Sequence, residues 1–94
     1  MMLNAIDFSK VEALRKHMML RRQDMSELLG VTRMTYYRWI QGRVPEDKYV
    51  EKIRLVLKNL LAIMVEDKWP TPEVIILDAE TRRAKLDEVL KRFN

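Results

Sequence analysis

The stretch Leu28–Pro45, LLGVTRMTYYRWIQGRVP, constrains this chain more than any other segment. Met25, Leu28 and Leu29 put apolar groups on one helical face, and Gly30 then supplies the left-handed backbone that other residues reach only at a steric cost. The first helix of the pair is expected to stop there. Val31 fills the turn, and the Thr32 hydroxyl is suited to accept from an unpaired amide at the start of a second helix beginning near Arg33. Along that helix Tyr36, Trp39 and Ile40 recur at helical spacing and belong to the core, leaving Arg33, Met34, Thr35, Tyr37 and Arg38 toward the other side. Gly42 ends it, with Arg43 and Pro45 beyond.

Residues 11–45 resemble the lambda-repressor-like helix-turn-helix family, the Xre or Cro/C1 type. Ser26 holds the position where the family needs a small residue, Gly30 matches the turn glycine, and Trp39 and Gly42 match the end of the recognition helix. The resemblance implies that Arg33, Met34 and Arg38 face base edges with Tyr37 beside them. It also implies phosphate contacts from Arg21, Arg22, Thr32, Thr35 and Arg43. Two positions depart from the pattern: Arg21 stands where a capping Ser or Thr is common, and Ile40 where the family often has Glu. That Glu frequently pairs with an arginine at the position of Arg15, so Arg15 is left here either to reach the DNA backbone or to sit in solvent.

Charge agrees with this reading. Of the net +4, all lies in residues 1–45, which hold eight basic and four acidic residues, whereas the remainder holds ten of each. Basic charge beside the presumptive recognition helix suits phosphate contact and counterion release; a merely solvated basic surface is the plainer alternative. With 94 residues the chain is long enough for one modest core. No apolar run approaches the ~20 residues of a membrane span, and MMLNAIDFSK lacks the pattern of a signal peptide, so a cytoplasmic protein is expected. Cysteine is absent and His17 is the single histidine, which excludes disulfides and makes a metal site unexpected. No nucleophile has a histidine and acid partner, and two glycines cannot build a phosphate loop, so neither an enzyme nor a cofactor is expected.

The fold expected is all-α: a bundle of about five helices, in which residues 1–67 form the helix-turn-helix domain and residues 68–94 a strand-helix dimerisation extension. Ser9 and Glu12 suggest a capping box, and Phe8, Val11, Leu14 and Met18 an apolar face for the first helix, through about residue 19. The second and third helices are read at 22–29 and 33–41. Pro45, Glu46 and Asp47 open a long fourth helix with a stripe of Val50, Ile53, Leu57, Leu60 and Met64. Further apolar residues from Leu55 to Val65 surround its far half, which requires cover from the carboxy-terminal segment, a second copy, or both. The prolines after Trp69 break the helix, Val74-Ile75-Ile76-Leu77 reads as a short strand, and Asp78 caps a last helix with a stripe of Leu86, Val89, Leu90 and Phe93. Arg82 and Arg83 read as part of its solvated side.

A lone strand has no partner within the chain, so a homodimer is expected, joined through Leu57, Leu60, Leu61, Met64, Val74–Leu77, Leu86, Val89, Leu90 and Phe93. The plainer alternative is an extended loop that covers the fourth helix. A two-fold dimer presents recognition helices to successive major grooves about 34 Å apart, which predicts an inverted-repeat operator on double-stranded DNA. The function expected is a dimeric transcriptional repressor, with its own promoter among the candidate targets. Compactness also gives the chain a likeness to small phage regulators, including anti-CRISPR-associated repressors. The competing reading is a protein-interaction module, such as an antitoxin or a phage adaptor, that grips a partner protein with the same fold.

Overall fold

The computed structural model describes residues 6–93; the first five residues of the segment read against a signal peptide lie outside that range. The described residues form six α-helices: α1 Phe8–His17, α2 Arg22–Leu29, α3 Arg33–Ile40, α4 Asp47–Glu66, α5 Pro72–Ile75 and α6 Ala79–Leu90, with a closing 3-10 turn at Lys91–Phe93. The chain is all-α, and none of these helices is long and apolar enough to cross a membrane.

The expected capping chemistry is met at most ends. Asp7, rather than Ser9, caps α1, accepting from the Ser9 N–H at 3.0 Å and from its hydroxyl at 2.6 Å. The Ser9–Glu12 box does not form because Glu12 turns inward to Arg15 and Tyr36. Gly30 closes α2 at φ 75°, and the Val31 N–H reaches back to the Ser26 carbonyl at 2.9 Å, satisfying an orphan acceptor of the last turn. Thr32 caps α3 by accepting from the Thr35 N–H at 3.1 Å. Asp78 caps α6 in the same way, from Thr81.

The core is built on α3 and α4. Tyr36 and Trp39 are buried, with Phe8 packed on both at ring separations of 6.4 and 5.7 Å. On α4 the buried arc is Val50, Ile53, Val56, Leu60 and Ile63. The expected stripe through Leu57 and Met64 is therefore rotated: those two flank the core, where α2 and α6 pack on α4.

The carboxy-terminal segment supplies part of the cover for α4, through α6, while Leu55, Leu61 and Val65 stay exposed. Trp69 is buried, its indole N–H donating to the Met18 carbonyl at 2.9 Å, and the Trp69–Pro70 peptide is cis. The expected strand at Val74–Leu77 is instead the end of α5 and its turn. Pro72 has its φ fixed for a first helical turn, and the Thr71 carbonyl accepts from both Val74 and Ile75 at 3.0 Å. Val74 turns inward and Leu77 is half-buried, leaving Ile75 and Ile76 exposed. No strand occurs among the described residues.

Leu60, Val74 and Leu86 are consequently core residues of a single protomer, not residues with a face left for a second copy. Arg82 and Arg83 are likewise not a solvated pair. Arg82 donates to the carbonyls of Val74, Ile75, Leu77 and Met19, tying α5 to the turn after α1. Arg83, its side chain 16% exposed, bridges Asp24 and Glu27 of α2 to Asp87 of its own helix. The tail is thus pinned to the helix-turn-helix unit by buried indole, guanidinium and leucine contacts.

Candidate nucleic-acid interface

The outer face of α3 carries Arg33, Met34, Tyr37 and Arg38. All four are exposed, Met34 at 57% and Tyr37 at 43%. Tyr36 and Trp39 occupy the inward side; Tyr37 and Arg38, each one residue from them, point about 100° away, Met34 lies about 160° from Tyr36, and Arg33 is exposed as the first residue of the helix. The side chains of Arg33, Arg38 and the following Arg43 form no hydrogen bond or ion pair with described residues, so their guanidinium groups are uncommitted. Thr32 and Thr35 stand at the start of α3, their hydroxyls 3.1 Å apart.

The other expected contact residues are engaged within the protein. Arg21 grips Asp24 through two bonds, at 3.0 and 2.9 Å, while its backbone N–H donates to the same carboxylate at 2.8 Å. Asp24 thereby replaces the capping Ser or Thr absent at position 21 by reaching back from three residues ahead. Burial pushes the Asp24 carboxyl up, but its bonds and charges from Arg21 and Arg83 hold it below the ordinary aspartate range. Arg22 keeps about half its side chain exposed; its Nε lies 3.3 Å from Glu12, and its guanidinium carbon sits 6.0 Å from the Tyr37 ring centre. The Tyr37 hydroxyl accepts from the Gln41 side chain at 3.0 Å. Tyr37 therefore lies along the surface as a platform for Arg22.

Behind this front sits Glu12, expected as half of a capping box with Ser9. It is 8% exposed and accepts from Arg15 at 2.7 and 2.9 Å, from the Tyr36 hydroxyl at 2.6 Å and from Arg22. Burial pushes its carboxyl up. The bonds from Arg15 and Tyr36, with the charges of Arg15 and Arg22, outweigh burial and hold it at about 2. Conversely, burial and the neighbouring carboxylate push the Tyr36 phenol far up, so it remains a donor. Arg15 also donates to the Leu20 carbonyl at 2.7 Å. It is neither free for DNA nor solvated: its acid partner is supplied from α1, three residues earlier, instead of from position 40. The available signal was the Glu12–Arg15 spacing read together with Ile40.

The arrangement offers hydrogen-bond donors, positive charge and an apolar methionine on one rigid helix, with no acid on the exposed side of α3. That combination suits the edges of bases and the phosphates that flank them. Among the described residues no group of His, Cys, Asp and Glu side chains has the makings of a metal site.

No curated protein and no solved structure matches the chain. A family model described as Helix-turn-helix matches residues 11–59, more than half of the sequence, spanning α1 to α3 and the first part of α4. The chain therefore belongs to the lambda-repressor-like, Xre-type helix-turn-helix family of DNA-binding transcription regulators.

Proposed function

We infer that the protein is a homodimeric, sequence-specific repressor that binds an inverted-repeat operator, acts in the cytoplasm and occludes a promoter, its own among the candidates. The observation that carries this reading is the exposed face of α3, where uncommitted arginines flank Met34 and Tyr37. Arg33 and Arg38 are assigned to guanine, whose N7 and O6 match the guanidinium fork, and Met34 to a thymine methyl. Arg22, aligned by Glu12 and Tyr37, reads as a phosphate ligand, as do Arg43 and the hydroxyls of Thr32 and Thr35. Arg21 touches phosphate only with the part of its fork that Asp24 leaves free.

The test compares two variants by fluorescence anisotropy, on the selected operator and on random duplex. Arg38→Ala is expected to lose about 1–3 kcal/mol on the operator and little on random DNA, whereas Arg43→Ala weakens both alike. Equal losses for Arg38→Ala on both duplexes would remove its base-reading role.

A further inference from the structure

We propose that the second copy docks by a reciprocal exchange: the Ile75–Ile76 knob of each protomer enters the groove between α1 and α4 of the other. This rests on the dimeric reading above and names the surfaces that build it.

The knob is apolar and held still. Ile76 is 84% exposed and Ile75 about half exposed, yet the carbonyls of Val74, Ile75 and Leu77 are tied down by Arg82. A backbone already fixed in place loses less entropy on docking than a mobile one. Acids outnumber bases around it: Glu73 and Glu80 are exposed and Asp78 caps α6, against the single guanidinium of Arg82 on its carbonyls.

The groove has the opposite character. It is a cavity of about 410 Å³ with apolar walls from Ile6, Leu14, Leu57 and Leu61, and the cations Lys10 and Arg54 at its lips. Lys58, one turn beyond Arg54 on α4, is also exposed. Asp7 is the one acid on its wall, and its carboxylate is already occupied in capping α1. Apolar centre meets apolar centre and acidic rim meets basic lip, the complementarity that favours one docking over others.

Knob and groove occupy different ends of α1. The knob is tied through Arg82 to Met19, just past the carboxyl end of α1, whereas the groove flanks the opening half of that helix. The two are separated by roughly one ten-residue helix, about 15 Å. In the proposed pair a two-fold axis makes the exchange reciprocal, closing the contact as a dimer without leaving an open end. The groove also faces away from the DNA side: Lys10 and Leu14 are each two residues from Glu12, about 160° round the helix from it.

The test uses two charge-reversed full-length chains, followed by sedimentation velocity over a concentration series. One carries Lys10→Glu and Lys58→Glu on the groove; the other carries Glu73→Lys and Glu80→Lys on the knob. All four positions are exposed, and circular dichroism melts establish that each chain folds. Each chain alone is expected to self-associate at least about tenfold more weakly than wild type, because groove and knob then share one sign. An equimolar mixture is expected to recover the wild-type dimer, because both junctions of the mixed pair regain opposite signs. Ile76→Asp, at a position too exposed to affect folding, is expected to weaken association by a similar factor.

A reversed chain that dimerises as wild type does, or a mixture that fails to recover the dimer, would overturn this exchange while leaving dimerisation to another face. A wild-type chain that stays monomeric while bound to its operator would instead remove the dimeric reading, and this inference with it.

Discussion

Replacing Glu12 with glutamine removes one negative charge from the point where three helices meet, and the geometry sets the expected cost. The carboxylate is nearly enclosed and accepts from Arg15, Tyr36 and Arg22. Its folded-state value of about 2, against 4.5 for an unperturbed glutamate, is a difference worth about 3 kcal/mol at 1.36 kcal/mol per unit. Because the folded value lies below the unfolded one, this stabilisation is complete above about pH 4.5. It is lost as pH falls from there through about 2. Glutamine preserves shape and one acceptor but leaves the part-buried Arg15 without its ion pair, so a loss of about 3 kcal/mol is expected at pH 7. Urea unfolding of both proteins from pH 7 to pH 2 measures this directly. Asp7, Asp24, Glu27 and Asp78 also have depressed values, but they are common to both proteins and cancel in the difference. The gap between the two stabilities should stay constant down to about pH 4.5 and then close. A gap of the same size at pH 7 and pH 2 would refute the linkage argument, and no gap at all would refute the role of the network.

Gly30→Ala meets no steric obstacle, since a Cβ there has no atom within 4 Å, so its cost isolates backbone strain at φ 75°. About 1 kcal/mol of lost stability is expected in urea, with Gly30→Asn costing less; an unchanged midpoint would show that the turn relaxes freely. Arg83→Ala severs the bridge from α6 to Asp24 and Glu27 and leaves the Asp24 carboxylate with Arg21 alone. A loss of about 1–3 kcal/mol is expected, with faster amide exchange in α6 than in α3; uniform exchange across both helices would argue that the tail is held by its apolar contacts.

The helix-turn-helix core was legible because its signals are local. A glycine at a positive φ, a threonine cap and a Tyr36–Trp39 spacing act within a few residues of one another, and α2 and α3 fall at or within one residue of the expected bounds. The tail was not legible for the opposite reason. Val74–Leu77 is a four-residue apolar run, which periodicity alone does not divide between strand and helix. What decides it is distant: Arg82 draws in the carbonyls of that run, and the buried Val74 packs into the same core as Leu86. Trp69 was read only as a neighbour of proline, although its indole forms the bond to Met18 that seats the tail. Leu60, Val74 and Leu86 were expected at a joint because their cover was sought in a second chain, whereas the folded tail supplies it. At the DNA face the expected side chains are exposed on α3, and what escaped notice is the layer behind them. Glu12 looked like half of a capping box, and only the meeting of α1 with α2 and α3 makes it the shared acceptor of Arg15, Arg22 and Tyr36.

Selection from a random duplex pool with the purified protein at near-physiological salt, followed by sequencing of the retained DNA, tests the central claim most directly. The account predicts enrichment of an inverted repeat whose half-sites are spaced by about one helical turn, with a guanine in each half-site that Arg38→Ala ceases to select. A pool that emerges without enrichment would contradict it, because a recognition helix presenting Arg33, Met34, Tyr37 and Arg38 would then be reading no sequence at all.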